Sequence, residues 1–150
     1  MDSPKNSSIK ILIVEDDPLL VKLYKTVFEK EGCEVETAFN GEIGFEKLNK
    51  MASPPTLILS DVMMPKMNGL EMLKKIKEEP KFNKIPVVLL TNLGGEKDAE
   101  TGLSLGAVTY IVKSQYVPAD IVKKIKEVLA GYTRDNPVPE VKTPIKDIES

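Results

Sequence analysis

The 150-residue chain has no histidine, no tryptophan and a single cysteine. Without histidine it can build neither a Ser-His-Asp nor a Cys-His nucleophilic centre, and it offers no imidazole to a metal. Cys33 alone permits neither an internal disulfide nor a thiolate zinc cluster. Long hydrophobic runs are missing as well. No stretch reaches the roughly 18 apolar residues of a membrane span, and the opening MDSPKNSS lacks the apolar core of a signal peptide. Nor does charge of one sign dominate. The 21 basic and 23 acidic residues leave a formal net charge of −2, which argues against direct nucleic-acid binding, because that usually needs a basic face. The lone thiol and the missing leader fit a cytoplasmic location. Any chemistry is left to carboxylates, lysines, hydroxyls and the backbone.

What remains is the composition of a globular protein, 41% hydrophobic and 29% charged, in a chain of single-domain length. Apolar periodicity alternates between two kinds of segment. Short continuous runs at Ile9–Val14, Val35–Phe39, Leu57–Leu59, Val87–Leu90 and Val108–Val112 predict strands of a parallel sheet covered on both faces. Between them lie stripes at helical spacing. The first comprises Leu19, Leu20, Leu23, Val27 and Phe28, opened by Asp17-Pro18 and closed by Gly32. Others carry Ile43 and Leu48; Leu70, Leu73 and Ile76; and Ile121, Ile125, Val128 and Leu129, with a weaker glycine-containing candidate over Glu96–Leu105. Five strands alternating with five helices predict an α/β fold, a doubly wound five-stranded parallel sheet. Residues 1–8 read as a disordered N-terminus, 9–131 as the domain, and 132–150 as a proline-rich disordered tail or linker stub.

Doubly wound sheets work at the carboxyl ends of their strands. Here the first strand runs into Glu15, Asp16 and Asp17, and the third into Asp61. Carboxylates crowded at one edge are costly unless protonated or neutralised, and a hard divalent cation with oxygen ligands resolves the conflict. Asp17 before Pro18 is equally a helix cap. Asp61 is harder to explain that way, because the next helix is expected to begin several residues later, near Asn68 or Gly69. The fourth strand ends in Thr91 and the fifth in Lys113, adding a hydroxyl and an ammonium. Carboxylate nucleophile, cation, hydroxyl and ammonium are the parts of a phosphoryl-transfer site.

From about Ile9 to Gly131 the chain resembles the receiver domain of two-component response regulators. The residues carrying the resemblance are Glu15-Asp16 after the first strand, Asp61-Val62-Met63-Met64-Pro65 with Asn68-Gly69, Thr91 and Lys113. The resemblance implies the flavodoxin-like (βα)5 receiver fold, with Asp61 as phosphoacceptor. It also implies Mg2+, or alternatively Mn2+, held by Asp16, Asp61 and the Met63 backbone carbonyl, with Glu15 acting through water. Thr91 and Lys113 would contact phosphoryl oxygens, and Thr91 with Tyr110 would form the switch; Tyr110 can also be read as a half-buried strand aromatic. The implied partners are a histidine kinase or histidine phosphotransfer protein as donor and a downstream protein target docking on the face of the fourth helix, fifth strand and fifth helix. A phosphorylation-dependent homodimer is a further implied partner, while no membrane is expected. Lys123, Lys124 and Lys126 either belong to that docking face or form a solvated stripe. Such a chain is not an enzyme in the ordinary sense, catalysing at most its own phosphorylation and dephosphorylation.

Three departures from the family pattern carry expectations. Ser114 follows Lys113 where a cis-linked proline is usual; a cis bond to serine costs about 3–4 kcal/mol, so the turn there is expected to differ in shape. Asn92 follows Thr91 where a small residue is common, which narrows access to Asp61. Met63 and Leu93 stand where polar residues often orient the hydrolytic water, so slow autodephosphorylation is expected. The competing readings are a receiver-like interaction module without phosphorylation, an aspartate-nucleophile phosphatase of the haloacid dehalogenase type and a flavin binder. The phosphatase would need a second aspartate at position 63, and three acids after the first strand would repel a flavin phosphate.

Overall fold

The computed structural model describes residues 9–131; the segments 1–8 and 132–150, read from sequence as disordered, lie outside the described residues. The chain folds as β1 (Lys10–Val14), α1 (Pro18–Lys30), β2 (Glu34–Ala38), α2 (Gly41–Lys50), β3 (Leu57–Asp61), α3 (Gly69–Glu78), β4 (Val87–Thr91), α4 (Glu96–Ser104), β5 (Thr109–Val112) and α5 (Pro118–Ala130). All strand pairs are parallel and the order is β2-β1-β3-β4-β5, the doubly wound flavodoxin-like sheet that the alternation of segments predicts. The direction of winding reverses between β1 and β3, so their carboxyl ends flank the crevice where such sheets place their ligands. Among the described residues no helix is long and apolar enough to cross a membrane.

Strand residues alternate between two apolar layers. Ile11, Ile13, Leu57, Leu59, Val88, Leu90 and Ile111 face α1 and α5, where Tyr24, Phe28, Ile121 and Ile125 close the core. Leu12, Val14, Ile58, Val87, Leu89 and Val112 face the opposite layer, with Leu48 of α2, Met72, Leu73 and Ile76 of α3, and Ala99 of α4. Full burial on both sides explains why these strands read as continuous hydrophobic runs rather than alternating ones. β2 does not fit that description. It is an edge strand in which Glu34 and Glu36 are exposed, and Phe39, placed in the strand by its apolarity, lies beyond it and is exposed. Charged side chains on an edge hinder pairing with another sheet, which is a use for them there.

Helix starts are written in local chemistry. Asp17 accepts hydrogen bonds from the backbone N–H groups of Leu19 and Leu20, with Pro18 at the first helical position. Asn68 and Glu71 form a reciprocal capping box at α3, each bond 2.9 Å. The apolar stripe of α1 requires correction: Val21, Tyr24 and Phe28 are buried, while Leu19 is 64% exposed and Leu23 also faces outward. Ile43 is likewise at the surface, because α2 turns Gly44 and Leu48 toward the core and Gly41 against the Met67 backbone. The weak α4 pattern has a packing reason. Gly102 lies so close to β4 that a Cβ would come within 2.2 Å of Leu89 Cδ1, so beside the small Ala99 the helix meets the sheet there through backbone.

Candidate functional site

The carboxyl edge of the sheet gathers what the strand ends carry. Glu15 directly follows β1, Asp61 ends β3, Thr91 ends β4, and Lys113 follows β5 as the first residue of a 3-10 turn, Lys113–Gln115. Glu15, Asp16 and Asp61 each present a carboxylate oxygen, all within 4.8 Å of one another. Lys113 reaches across β3 and β4 into this group. Its Nζ donates to Glu15 Oε1 at 2.9 Å and to Asp61 Oδ2 at 3.1 Å. The other Asp61 oxygen accepts from Val62 N at 3.0 Å, and Glu15 Oε2 accepts from Asp17 N at 3.0 Å. Asp17 itself turns away to cap α1, so of its two readings the structure shows the cap.

Burial makes the cluster electrostatically tense. Glu15 is 0% and Asp61 2% exposed, whereas Asp16 faces solvent. Desolvation, followed by the charge of Asp61, pushes Glu15 up to about 7, with Lys113 pulling the other way. Desolvation also holds Asp61 above its ordinary value, again against Lys113. Burial works to lower Lys113, but its bonds to Glu15 and the charge of Asp61 outweigh it and leave the ammonium above its usual value. One ammonium thus bridges two buried carboxylates with Asp16 beside them, and the buried pair is only part-neutralised. A set of hard oxygen donors, walled in on one side and open to water at Asp16, has the chemistry to hold a divalent cation that keeps some of its waters.

The loop after β3 shows why Asn68-Gly69 follows Asp61 at its distance. Gly69 N donates to the Val62 carbonyl at 2.8 Å, and a Cβ on Gly69 would sit 2.1 Å from the Asp61 carbonyl oxygen. The start of α3 therefore rests on the backbone of the aspartate itself. Sequence reasoning used this pair as a motif without assigning the glycine that packing role. Lys66, in the same loop, adopts φ 64°, a left-handed conformation unusual for a side-chain-bearing residue, and nothing in its residue type signals it.

Thr91 and Tyr110 stand apart from the acidic cluster. The Thr91 hydroxyl donates to the Asn92 carbonyl at 3.3 Å. Tyr110 packs in the layer of α2, α3 and α4, and its hydroxyl donates to Glu100 Oε2 of α4 at 3.4 Å, a long bond. It is 2% exposed rather than half-buried. Met63 and Leu93, two residues beyond Asp61 and Thr91, are 57% and 68% exposed. No cis peptide bond occurs among the described residues, and Ser114 lies inside the 3-10 turn.

Comparison with known proteins gives a consistent family. The model of the response regulator receiver domain matches residues 11–126. The CpxR homolog of Haemophilus influenzae, a transcriptional regulatory protein, is 42% identical over 120 residues, covering 80% of this chain. The chain spans only half of that relative's length, 50%. The chemotaxis protein CheY1 of Helicobacter pylori strain 26695 is 34% identical over 122 residues, covering 81% of this chain and 97% of its own. The Mn(2+)-bound form of the response regulator Rcp1 superposes with a TM-score of 0.69 at 28% identity, covering 87% of this chain and 99% of its own.

Proposed function

The chain belongs to the response regulator receiver domain family, whose members are signalling phosphoacceptors of two-component systems, and on that premise we propose that Asp61 is its phosphoacceptor. The observation that carries the reading is the buried pair of Glu15 and Asp61 bridged by Lys113 Nζ at the carboxyl edge of the sheet. An Asp61 oxygen attacks the phosphorus of a phosphohistidine. The P–N bond breaks, an acyl phosphate forms, and the imidazole leaves with its electron pair. Because the 150 residues contain no histidine, the donor is a histidine kinase, a phosphotransfer protein or a part of a longer chain beyond this sequence.

Asp16, Asp61 and the Met63 backbone carbonyl, with Glu15 through water, would hold the cation, Mg2+ or alternatively Mn2+. When bound, it neutralises the carboxylates and the phosphoryl oxygens that meet there. The protein's own groups do the rest. Lys113 exchanges its contact with Asp61 for one with a phosphoryl oxygen, a charge-assisted bond. Thr91 leaves the Asn92 carbonyl for a second phosphoryl oxygen, and Tyr110 repacks behind it. These new contacts shift a pre-existing equilibrium, and the face of α4, β5 and α5 presents the altered surface to a target protein or a second copy of the chain.

Incubation with a small-molecule phosphodonor and Mg2+, followed by intact-mass measurement, tests the assignment. One phosphoryl group is expected on the native chain and none on Asp61→Ala. A gain that survives in Asp61→Ala overturns it.

A further inference from the structure

The loop joining β4 to α4 contains adjacent glycines that are glycine for different reasons. Gly94 has φ +93°, which L side chains rarely adopt, and a Cβ there would meet nothing within 4 Å. Its requirement is one of backbone conformation. Gly95 is the opposite case. Its φ of −100° and ψ of 12° suit any residue, and it occupies the N-cap of α4, where serine, threonine, aspartate or asparagine would ordinarily bond the free N–H groups. No side chain caps this helix. What a side chain at 95 would meet is Thr91: a Cβ would lie 2.4 Å from Thr91 Oγ1, closer than real atoms approach.

The Thr91 hydroxyl occupies the space that Gly95 leaves, and among the described residues its hydrogen bond is a long one to the Asn92 carbonyl, 3.3 Å. Meanwhile both Asp61 oxygens are engaged elsewhere, by Val62 N and Lys113. We propose that Gly95 is a positioning residue that, by lacking a side chain, provides the resting seat of the Thr91 hydroxyl and so sets how often Thr91 points to the phosphoryl site. This rests on the reading of Thr91 as a phosphoryl ligand. The seat is shallow. A neutral bond of this length is easily outweighed by a charge-assisted bond to a phosphoryl oxygen, so the switch starts in the resting position without being locked there.

The test is Gly95→Ala, read first without any phosphoryl group. Three-bond couplings of Thr91 report its χ1 rotamer by NMR. The native chain is expected to show mainly one rotamer, and Gly95→Ala to show another. Gly94→Ala, strained but distant from Thr91, is expected to leave the rotamer alone. An unchanged Thr91 rotamer in Gly95→Ala overturns the proposal. Beryllofluoride with Mg2+ then serves as the phosphoryl mimic. Its apparent affinity should rise roughly tenfold, the gain expected when a state populated to about 10% becomes dominant. A rotated Thr91 with unchanged affinity would support the seat and instead overturn the role given to Thr91. If Gly95→Ala is too unstable for NMR, thermal melting in a Thr91→Ala background decides. The cost of Gly95→Ala should shrink once the hydroxyl is gone, and an equal cost in both backgrounds overturns the proposal.

Discussion

At the scale of single residues, the site depends on groups that are unremarkable by type and unusual by surroundings. Glu15, Asp61 and Lys113 are common residues, and what distinguishes them is that two carboxylates lie almost out of water around one ammonium. Lys113 is the counter-charge of the buried pair, and on the proposed reading it is released to the phosphoryl group when one arrives. On the proposed reading, Met63 and Leu93 matter by what their side chains lack. Both are exposed, at 57% and 68%, and neither side chain carries a strong hydrogen-bonding group to orient a water for attack on an acyl phosphate. Replacing Met63 with asparagine and Leu93 with glutamate is therefore expected to shorten the phosphoryl lifetime about tenfold, a barrier change of ~1.4 kcal/mol. Decay of the phosphorylated mass with time measures it, and an unchanged lifetime would show that hydrolysis is limited elsewhere.

At the scale of elements, the start of α3 is where local and tertiary demands meet. Its capping box is worth about 1 kcal/mol, so Asn68→Ala should cost that much in a denaturant melt. Gly69→Ala should cost more, about 1–3 kcal/mol, because its Cβ would be forced against the Asp61 carbonyl at 2.1 Å. It should also slow phosphorylation, since the displaced backbone is that of the proposed phosphoacceptor; a milder effect of Gly69→Ala than of Asn68→Ala on both measures would contradict this. Elements of this kind were legible in sequence. Asp17-Pro18 and Asn68-Gly69 announced helix starts, and strands buried on both faces announced themselves as continuous apolar runs. The errors came where apolarity and burial part company. Leu19, Leu23 and Ile43 are apolar but outward, while Tyr24 fills the core beneath α1. In α2 and α4 glycines make the closest approach to the sheet, and a glycine leaves no hydrophobic mark to read. Glu15, Asp16, Asp61 and Lys113, which the structure brings together, were legible from their position at strand ends. The seat at Gly95 was not, because its meaning lies in a distance to Thr91 that no spacing rule contains.

At the scale of the whole molecule, the buried acids couple folding to pH and to metal. A carboxylate raised from 4.5 to about 7 in the folded state, as Glu15 is, binds more protons folded than unfolded across that window. Stability must then fall as pH rises through it, by at most about 1.4 kcal/mol per pH unit for one proton. Asp61, also raised, acts in the same direction, while the raised Lys113 contributes nothing between pH 5 and pH 8 because it stays charged in both states. The chelator-treated protein should accordingly melt several degrees lower at about pH 7.5 than at about pH 5. Saturating Mg2+ should reverse the trend, because the cation binds deprotonated ligands and its affinity should weaken up to roughly tenfold per pH unit below about pH 7. Glu15→Gln should flatten the chelated profile, since an amide has no titratable proton to release. A melting temperature that rises with pH in chelator, or one that Mg2+ fails to raise near pH 7.5, would mean that the acid cluster is relieved of its charge by some other route than a bound cation.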